Sequence, residues 1–381
     1  MASEEPVDVV VIGAGIVGCA TAYFLSRRGF RVTICEADTV ASGATGLASG
    51  GVRTQFATAL EMQMTLRSRE LWRSFEREHD LDLGYQRCGY LTLAADEETA
   101  EELARRRPMQ NEIGINAIEL DRQKLDELAP GINSDDVLLA IYTPDDGFGS
   151  PADVTNDILT AARKAGATLR QRSPAEQVTG NADHGFDVQL AGGETIQAQA
   201  VVSCAGHGSP EIGRGFGINL PVSAYRQHQF LTEPIDNFDL TALPNILDPA
   251  LDLYFRREGT GVLLGISDPA EAGRTDTTVT WALLEPLGER LERRWPRLVD
   301  VGIAKGWVGC YEVTPDRRAL IGGHDGFFYA TGFSGHGFMH GFAAGETVAA
   351  LVANEVPPLN VSELSADRFA DPVSHQKTPS T

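Results

Sequence analysis

The amino-acid sequence predicts an α/β fold with two interleaved domains, one containing a largely parallel sheet and the other an antiparallel sheet. A glycine-rich turn, Gly13-Ala-Gly-Ile-Val-Gly18, joins a β-branched run to a helical pattern near the start of the chain. Residues 221–280 instead form short runs of alternating apolar and polar side chains, as half-buried antiparallel strands do.

The first element is a strand over Val7–Ile12, because its β-branched side chains are typical of a buried parallel strand. Residues 16–28 carry small and apolar side chains at helical spacing, and Gly29 is placed to end that helix. Residues 31–35 form the next strand. A strand, a helix and a strand within about 30 residues predict a right-handed βαβ unit.

The later elements do not separate into an N-terminal and a C-terminal half. Helical spacing predicts helices over residues 58–80, 97–107, 152–166, 283–295 and 338–353. We expect one domain from residues 1–81, 145–215 and 300–370, a second from residues 82–144 and 216–299, and a flexible tail over residues 371–381. The active site should lie where the two domains meet.

Composition limits the classes of partner. The 381 residues carry a net charge of −21, which disfavours nucleic acid and anionic membranes as partners. The five cysteines form no Cys-x-x-Cys pair, so we expect neither a disulfide framework nor a metal site. The apolar run from Val9 to Leu25 contains three glycines and is short for a membrane span, and the acidic start does not resemble a secretory signal. We expect a cytoplasmic protein.

The glycine-rich turn matches the G-x-G-x-x-G pattern of a Rossmann-like domain. Gly13 permits the tight turn, Gly15 lets the backbone approach a pyrophosphate, and Gly18 lets the helix pack closely on the sheet. The helix N-terminus offers N–H donors to the diphosphate. Glu36 follows the second strand, where its carboxylate can accept hydrogen bonds from ribose hydroxyls. The sequence therefore predicts a dinucleotide cofactor.

Residues 41–53 indicate that this dinucleotide is FAD. The segment is rich in serine, threonine and glycine and ends at Arg53. An extended FAD continues past its diphosphate and needs close backbone contact along its ribityl chain and ring, whereas NAD has no such requirement.

Three C-terminal motifs carry a resemblance to a known family. They are Leu253-Tyr-Phe-Arg-Arg-Glu-Gly with Gly265-Ile-Ser-Asp-Pro269, Gly306-Trp-Val-Gly-Cys-Tyr-Glu-Val-Thr-Pro-Asp316, and Gly332-Phe-Ser-Gly-His-Gly-Phe338. With them, nearly the whole chain resembles the D-amino-acid oxidase superfamily of flavoproteins, in its sarcosine oxidase and dehydrogenase β-subunit-like branch. The resemblance implies a glutathione-reductase-type, D-amino-acid-oxidase-like FAD-binding domain interleaved with an antiparallel-sheet α+β substrate domain.

The resemblance also implies a reaction. A substrate similar to sarcosine, proline or glycine would pass a hydride from the carbon next to its nitrogen to flavin N5, and the imine formed would be hydrolysed. O2 or another electron acceptor would complete turnover, and the resemblance leaves open a partner subunit or a homo-oligomer. The alternative is a flavoprotein subunit or assembly factor that binds FAD without independent turnover.

The last motif also has a physical interpretation of its own. Glycines at positions 332, 335 and 337 precede a helix, so backbone amides converge in front of its N-terminus. Such a helix end stabilises the negative charge of a reduced flavin ring. We expect His336, which lies within this turn, to contact the flavin or the substrate.

The chain departs from the family pattern at the covalent flavin link. Relatives that bind FAD covalently have a cysteine two positions before the tyrosine of the second motif, and here that position is Gly309. We therefore expect non-covalent FAD and interpret Cys310 as a packing residue.

Two lysines of the family are also replaced. The lysine that helps to bind a substrate carboxylate is Met339 here, so either Arg53 binds the carboxylate, with His340 a partial substitute for the lysine, or the substrate has none there. The lysine credited with promoting the reaction with O2 falls on Leu263, which leaves a dehydrogenase as open as an oxidase.

These arguments give two sets of candidate residues. Residues predicted at the substrate are Arg53, Tyr311, His336, Met339, Tyr254 and His228. Residues predicted at FAD are Gly13, Gly15, Ile16, Val17, Gly18, Glu36, Ala37, Ser42, Thr45, Ser49, Gly50, Gly51, Ala175, Cys204, Ala205, Gly206, Gly335, His336, Gly337, Phe338 and Met339.

Overall fold

The computed structural model describes residues 6–236 and 238–370, and the tail expected over residues 371–381 lies outside them. The helices are α1 (Ile16–Arg27), α2 (Ala59–His79), α3 (Glu97–Glu112), α4 (Arg122–Leu128), α5 (Pro151–Lys164), α6 (Ser209–Arg214), α7 (Leu284–Arg294) and α8 (Gly337–Val352). The strands are β1 (Val7–Ile12), β2 (Val32–Cys35), β3 (Gly51–Val52), β4 (Tyr90–Ala94), β5 (Ile118–Glu119), β6 (Leu139–Thr143), β7 (Gly147–Phe148), β8 (Thr168–Arg170), β9 (Ala175–Asn181), β10 (Gly185–Leu190), β11 (Thr195–Ser203), β12 (Ser223–Thr232), β13 (Asn245–Asp248), β14 (Leu253–Glu258), β15 (Gly261–Ile266), β16 (Ile303–Val313), β17 (Leu320–His324) and β18 (Phe327–Thr331).

The first sheet contains the predicted βαβ unit. Its strands run in the order β17-β18-β11-β1-β2-β8, and β10 and β9 continue from β11. β1 is parallel to both β2 and β11, and β18 is parallel to β11. The carboxyl ends of these strands therefore meet at one edge, which is where open α/β sheets bind ligands.

Helix α8 packs closely on α1 because glycines face the contact. A Cβ atom on Gly345 would lie 2.5 Å from Ala20 Cβ, and one on Gly341 would lie 2.8 Å from Ile16 Cγ2. A larger residue at either position would separate the helices. The contact places the N-terminus of α8 beside the cofactor end of α1.

The second sheet has the order β16-β12-β15-β14-β13-β4-β6-β5. All its pairs are antiparallel except β13 with β4. The α/β class is confirmed. The sheet expected to be antiparallel is mixed, because β13 pairs in parallel with β4, a strand from a much earlier part of the sequence.

One strand does not follow the expected domain boundary. β16 pairs along its length with β12, so it belongs to the second sheet although residues 300–370 were assigned to the other domain. The division into two domains stays a prediction, and this pairing favours a boundary after Val313.

The apolar run at residues 9–25 folds into β1, the glycine turn and α1, so it does not form a single continuous helix. In the described part of the chain, no helix has the length and apolar character needed to cross a membrane.

A buried ion pair fixes α7 on the second sheet. Arg294, fully buried at the end of α7, donates through Nε to Asp248 Oδ2 at 2.6 Å, and Asp248 is also fully buried. Arg294 Nη1 also lies 2.9 Å from Asp136 Oδ1. Removing one partner of such a pair leaves a charge without its counter-ion in the interior.

We expect Asp248→Asn to lower the free energy of unfolding by about 3 kcal/mol, because Arg294 would stay buried without its principal anion. Chemical denaturation measures the change. The control Glu78→Gln breaks the exposed Arg27–Glu78 pair and should cost less than about 1 kcal/mol. Equal losses in the two variants would contradict the importance of the buried pair.

Candidate cofactor and substrate site

The glycine turn after β1 forms a cradle that larger residues would fill. Gly13 has a φ of +104°, and a Cβ there would lie 2.4 Å from the carbonyl oxygen of Cys204. A Cβ on Gly18 would lie 2.0 Å from the carbonyl oxygen of Gly13. Both contacts are with backbone atoms, which cannot rotate away. The turn is therefore restricted to glycine at both positions.

Side chains from two other segments bond to the backbone at the start of α1. Glu36 Oε2 accepts from the Ala14 N–H at 2.7 Å, and Thr45 Oγ1 accepts from the Ile16 N–H at 3.1 Å. Glu36 Oε1 accepts from the Asp38 N–H at 2.8 Å. A carboxylate has about four lone-pair positions, so Glu36 can still accept from a ribose.

The other segments predicted at FAD adjoin this cradle. Cys204, which begins the stretch of residues 204–206, donates its N–H to Ile12 O at 2.8 Å, beside Gly13. Ser173 donates its N–H to Glu36 O at 2.8 Å, which brings the start of β9 at Ala175 close to the end of β2. The structure thus gathers residues from β1, β2, β9 and β11 at one edge of the sheet.

The small-residue segment at 41–53 runs from this cradle to the second sheet. Leu47 O accepts from Gln229 Nε2 at 3.2 Å and from Trp307 Nε1 at 3.1 Å. Ser49 O accepts from Arg256 Nε at 2.9 Å and Nη2 at 2.5 Å. Gly51 then pairs with Phe148. Donors of the second sheet therefore hold a segment that begins beside the dinucleotide turn.

A cavity of about 230 Å³ opens where this segment, the second sheet and α8 meet. Its walls come from residues 48–51 and 53, from β12, β14 and β15, and from the turn before α8. Predicted substrate-site residues that line it are Arg53, Tyr254, Tyr311, His336 and Met339. Predicted cofactor residues that line it are Ser49, Gly50, Gly51, Gly335, His336, Phe338 and Met339.

Arg53 and His336 form the polar centre of the cavity. Arg53 Nη2 donates to His336 Nε2 at 3.0 Å, and Nη1 donates to Gln55 O at 2.6 Å. Burial and the neighbouring guanidinium hold the pKa of His336 well below its usual value. The imidazole is therefore neutral at pH 7, with the proton on Nδ1, because Nε2 accepts from an arginine that always carries its proton.

Arg53 keeps capacity for an anion. Its guanidinium lies 4.5 Å from the centre of the Phe56 ring, and it has no carboxylate partner among residues 6–236 and 238–370. Its two hydrogen bonds use neutral acceptors. A half-buried arginine without a counter-ion, facing a cavity, is suited to bind a carboxylate.

Tyr311 and Tyr254 form a further part of the cavity wall. A Cβ on Gly335 would lie 2.8 Å from the Tyr311 ring, so the turn before α8 packs directly against that ring. Burial raises the pKa of the Tyr311 phenol to about 12, so it stays protonated and can donate a hydrogen bond. The Tyr254 ring stacks on Tyr90 at 6.2 Å between centroids.

His228 does not face the cavity, contrary to expectation. Alternation along β12 turns Tyr225, Gln227 and Gln229 towards the cavity and His228 to the opposite face. There His228 Nε2 accepts from the Thr280 N–H at 3.1 Å and lies 3.2 Å from Arg226 Nη2. It is a fully buried residue under the loop at 271–280.

The positions expected to depart from the family pattern at the covalent link and at the oxygen-reactive lysine pack against other parts of the protein. Cys310 faces away from the cavity, with Sγ near the carbonyl oxygens of Arg274 and Thr275. Gly309 packs against Leu47, where a Cβ would lie 3.0 Å from Leu47 Cβ. Leu263 is buried and pairs with Arg256 across β14 and β15.

Sequence reasoning missed several side chains of the cavity. They include Tyr90, Tyr225, Gln227, Gln229, Arg317 and Ser334. Period-two alternation anchored on the buried Phe230 would have identified the three on β12. Arg317 lies in a turn, where the sequence has no periodic signal.

Comparison with known proteins places this geometry in a family. The protein-family model described as "FAD dependent oxidoreductase" matches residues 8–351. The chain belongs to this family. Among solved structures, the L-proline dehydrogenase from P. horikoshii superposes with a TM-score of 0.88 at 27% identity, covering 96% of this chain and 98% of that one. Membership confirms the predicted fold class and the predicted FAD dependence, and the glycine cradle fits that cofactor.

Two curated relatives match over a similar range. The pyruvate dehydrogenase phosphatase regulatory subunit of Mus musculus is 30% identical over 379 residues, which are 95% of this chain and 43% of that protein. Sarcosine dehydrogenase of Homo sapiens is 27% identical over 382 residues, which are 95% of this chain and 41% of that protein. The chain spans less than half the length of these two relatives.

We expect Gly18→Ala to weaken FAD binding at least about tenfold, because its Cβ would push α1 away from the turn that approaches the diphosphate. The flavin content of the purified protein and titration of the apoprotein with FAD measure the effect. Gly288→Ala in α7, outside the predicted cofactor site, is the matched control, since no neighbouring atom lies within 4 Å of its Cβ position. The role assigned to Gly18 is wrong if its variant folds and binds FAD as tightly as the control.

Proposed function

We propose that this chain oxidises the carbon–nitrogen bond of an amino acid or secondary amine, with non-covalently bound FAD as oxidant. The observation that carries the proposal is the Arg53 guanidinium, which faces the cavity without a carboxylate partner in the described chain. A substrate carboxylate would provide that partner. Sarcosine and L-proline, named in two of the relatives, are secondary amino acids with one carboxylate.

The side chains of the cavity have separate roles in this reaction. Arg53 binds the substrate carboxylate and so orients the carbon that loses hydride. His336 stays neutral and adds no charge beside the amine, which reacts in its unprotonated form. That form has the lone pair which weakens the adjacent C–H bond.

The helix end and the apolar wall support the same step. When bound, FAD supplies a two-electron acceptor at N5, and water hydrolyses the imine that the substrate becomes. Gly335 and His336, directly before α8, line the cavity, so the positive end of that helix dipole lies beside it and stabilises negative charge. Met339 and Phe338 exclude water from that side.

The experiment that tests this function is an anaerobic titration of the purified flavoprotein with amines, followed at the flavin absorbance band. The panel contains sarcosine, proline, glycine, D- and L-amino acids and amines without a carboxylate. We expect an amino acid to bleach the flavin, and the rate of recovery in air separates an oxidase from a dehydrogenase. If dithionite reduces the flavin but no amine does, the proposal is wrong and a flavoprotein without turnover replaces it.

Replacing Arg53 should separate carboxylate binding from the chemistry. We expect Arg53→Gln to lower kcat/KM about 100-fold for amino acids, since a charged hydrogen-bonded pair is lost. Amines without a carboxylate should keep their rates. Arg27→Gln, which removes an exposed arginine paired with Glu78, is the control. The assignment fails if Arg53→Gln retains FAD but slows both groups of amines equally.

A further inference from the structure

Arg317 lies in a rigid turn between β16 and β17. Thr314 Oγ1 lies 2.8 Å from Arg318 O and 3.1 Å from Asp316 Oδ1, so its single proton is shared between these two acceptors. Arg368 holds the same Asp316 carboxylate through Nε at 2.8 Å and Nη2 at 3.0 Å. Within this turn Arg317 has a φ of +56°, in the left-handed region that few residues other than glycine adopt. The turn therefore fixes the Arg317 backbone and the direction in which its side chain leaves it.

The two consecutive arginines of the turn point to different places. Arg318 turns away from the cavity and pairs with Glu363 at 2.9 Å. Arg317 lines the cavity beside Tyr225 and Ser334. The guanidinium of this exposed residue has no hydrogen-bond or ion-pair partner among residues 6–236 and 238–370, although the protein carries a net charge of −21.

Arg317 and Arg53 both influence His336, which lines the same cavity. The positive charges of both contribute to the low pKa of His336, after the larger effect of burial. The carboxylate that lines this cavity, Asp252, already has other partners: it accepts from Ser267 Oγ at 2.6 Å and lies 3.3 Å from Arg290 Nη1. Two guanidinium groups thus face one cavity, and neither has an anionic partner within the described chain.

We infer that Arg317 is a specificity-determining residue that binds a second carboxylate, so that the substrate is a dicarboxylic amino acid. One carboxylate bonds to Arg53 and the other to Arg317, with the oxidised carbon between them. A dianion relieves the repulsion between the two cations, which a single carboxylate relieves only in part. Arginine also binds carboxylates through two parallel hydrogen bonds. The inference rests on the proposed function for its reaction but not for its binding site.

Binding of inert acids tests Arg317 without turnover. Succinate and glutarate, matched with butyrate and valerate of the same chain lengths, are titrated into the holoprotein and followed by the change in flavin absorbance. We expect a diacid to bind at least about tenfold more tightly than its monoacid. Arg317→Gln should abolish this preference, Arg317→Lys should restore part of it, and Arg318→Gln should leave it unchanged. Equal affinity for diacids and monoacids, or a preference that survives in Arg317→Gln, overturns the inference.

Kinetics then separate the two proposals. N-methylaspartate and N-methylglutamate are compared with N-methylalanine, in both enantiomers. We expect Arg317→Gln to raise KM about tenfold or more for the diacids, with kcat unchanged and N-methylalanine unaffected. Flavin reduction by N-methylalanine as efficient as by the diacids overturns the inference but not amine oxidation. Diacid preference in binding without reduction by any amine overturns amine oxidation but not the Arg317 site.

Discussion

The site depends on the hydrogen bonds that hold residues 47–51 against the second sheet. Ser49 O accepts two bonds from Arg256, and Leu47 O accepts from Gln229 and Trp307. The buried guanidinium of Arg256 also lies 4.2 Å from the centre of the Phe148 ring, whose strand pairs with β3. Thr45, two residues before this segment, accepts from the Ile16 N–H at the start of α1, so one stretch of chain fixes the dinucleotide turn relative to the cavity.

A second buried cluster determines how that stretch presents Arg53. Asp146 accepts from the Thr54 N–H at 2.8 Å, from Thr143 Oγ1 at 2.6 Å and from Arg69 Nη1 at 3.2 Å. Burial raises the pKa of this carboxyl to about 6, and the hydrogen bonds and Arg69 oppose the rise. Such a network is costly to bury and stable only when its members are satisfied. It fixes the backbone directly after Arg53, so the Arg53 side chain is attached to a well-ordered part of the chain.

Local patterns in the sequence were sufficient for the longer helices, for the first βαβ unit and for the cofactor class, but not for the short helices α4 and α6. The helix predicted over residues 58–80 is Ala59–His79, and the glycines of the first turn lie where the Cβ distances require glycine. Pairing between distant strands was not predictable in the same way. Nothing local indicates that β16 joins β12 or that β13 runs parallel to β4. The wrong placement of His228 has a related origin, because alternation along β12 assigns the two faces only once the buried Phe230 shows which face meets the core.

The two arginines explain why the substrate is harder to infer than the cofactor. The cradle that fits FAD is built from backbone at the edge of parallel strands, and that geometry leaves a glycine signature in the sequence. Arg53 and Arg317 instead project from a loop and a turn, and their neighbours do not restrict them to one residue type as backbone contacts restrict Gly13. Either cation can change without disturbing the cradle. Members of one fold can therefore share the oxidant and differ in the anions they recognise. Which anion a member binds has to be inferred from the positions of unpaired cations around its cavity, because the fold does not specify it.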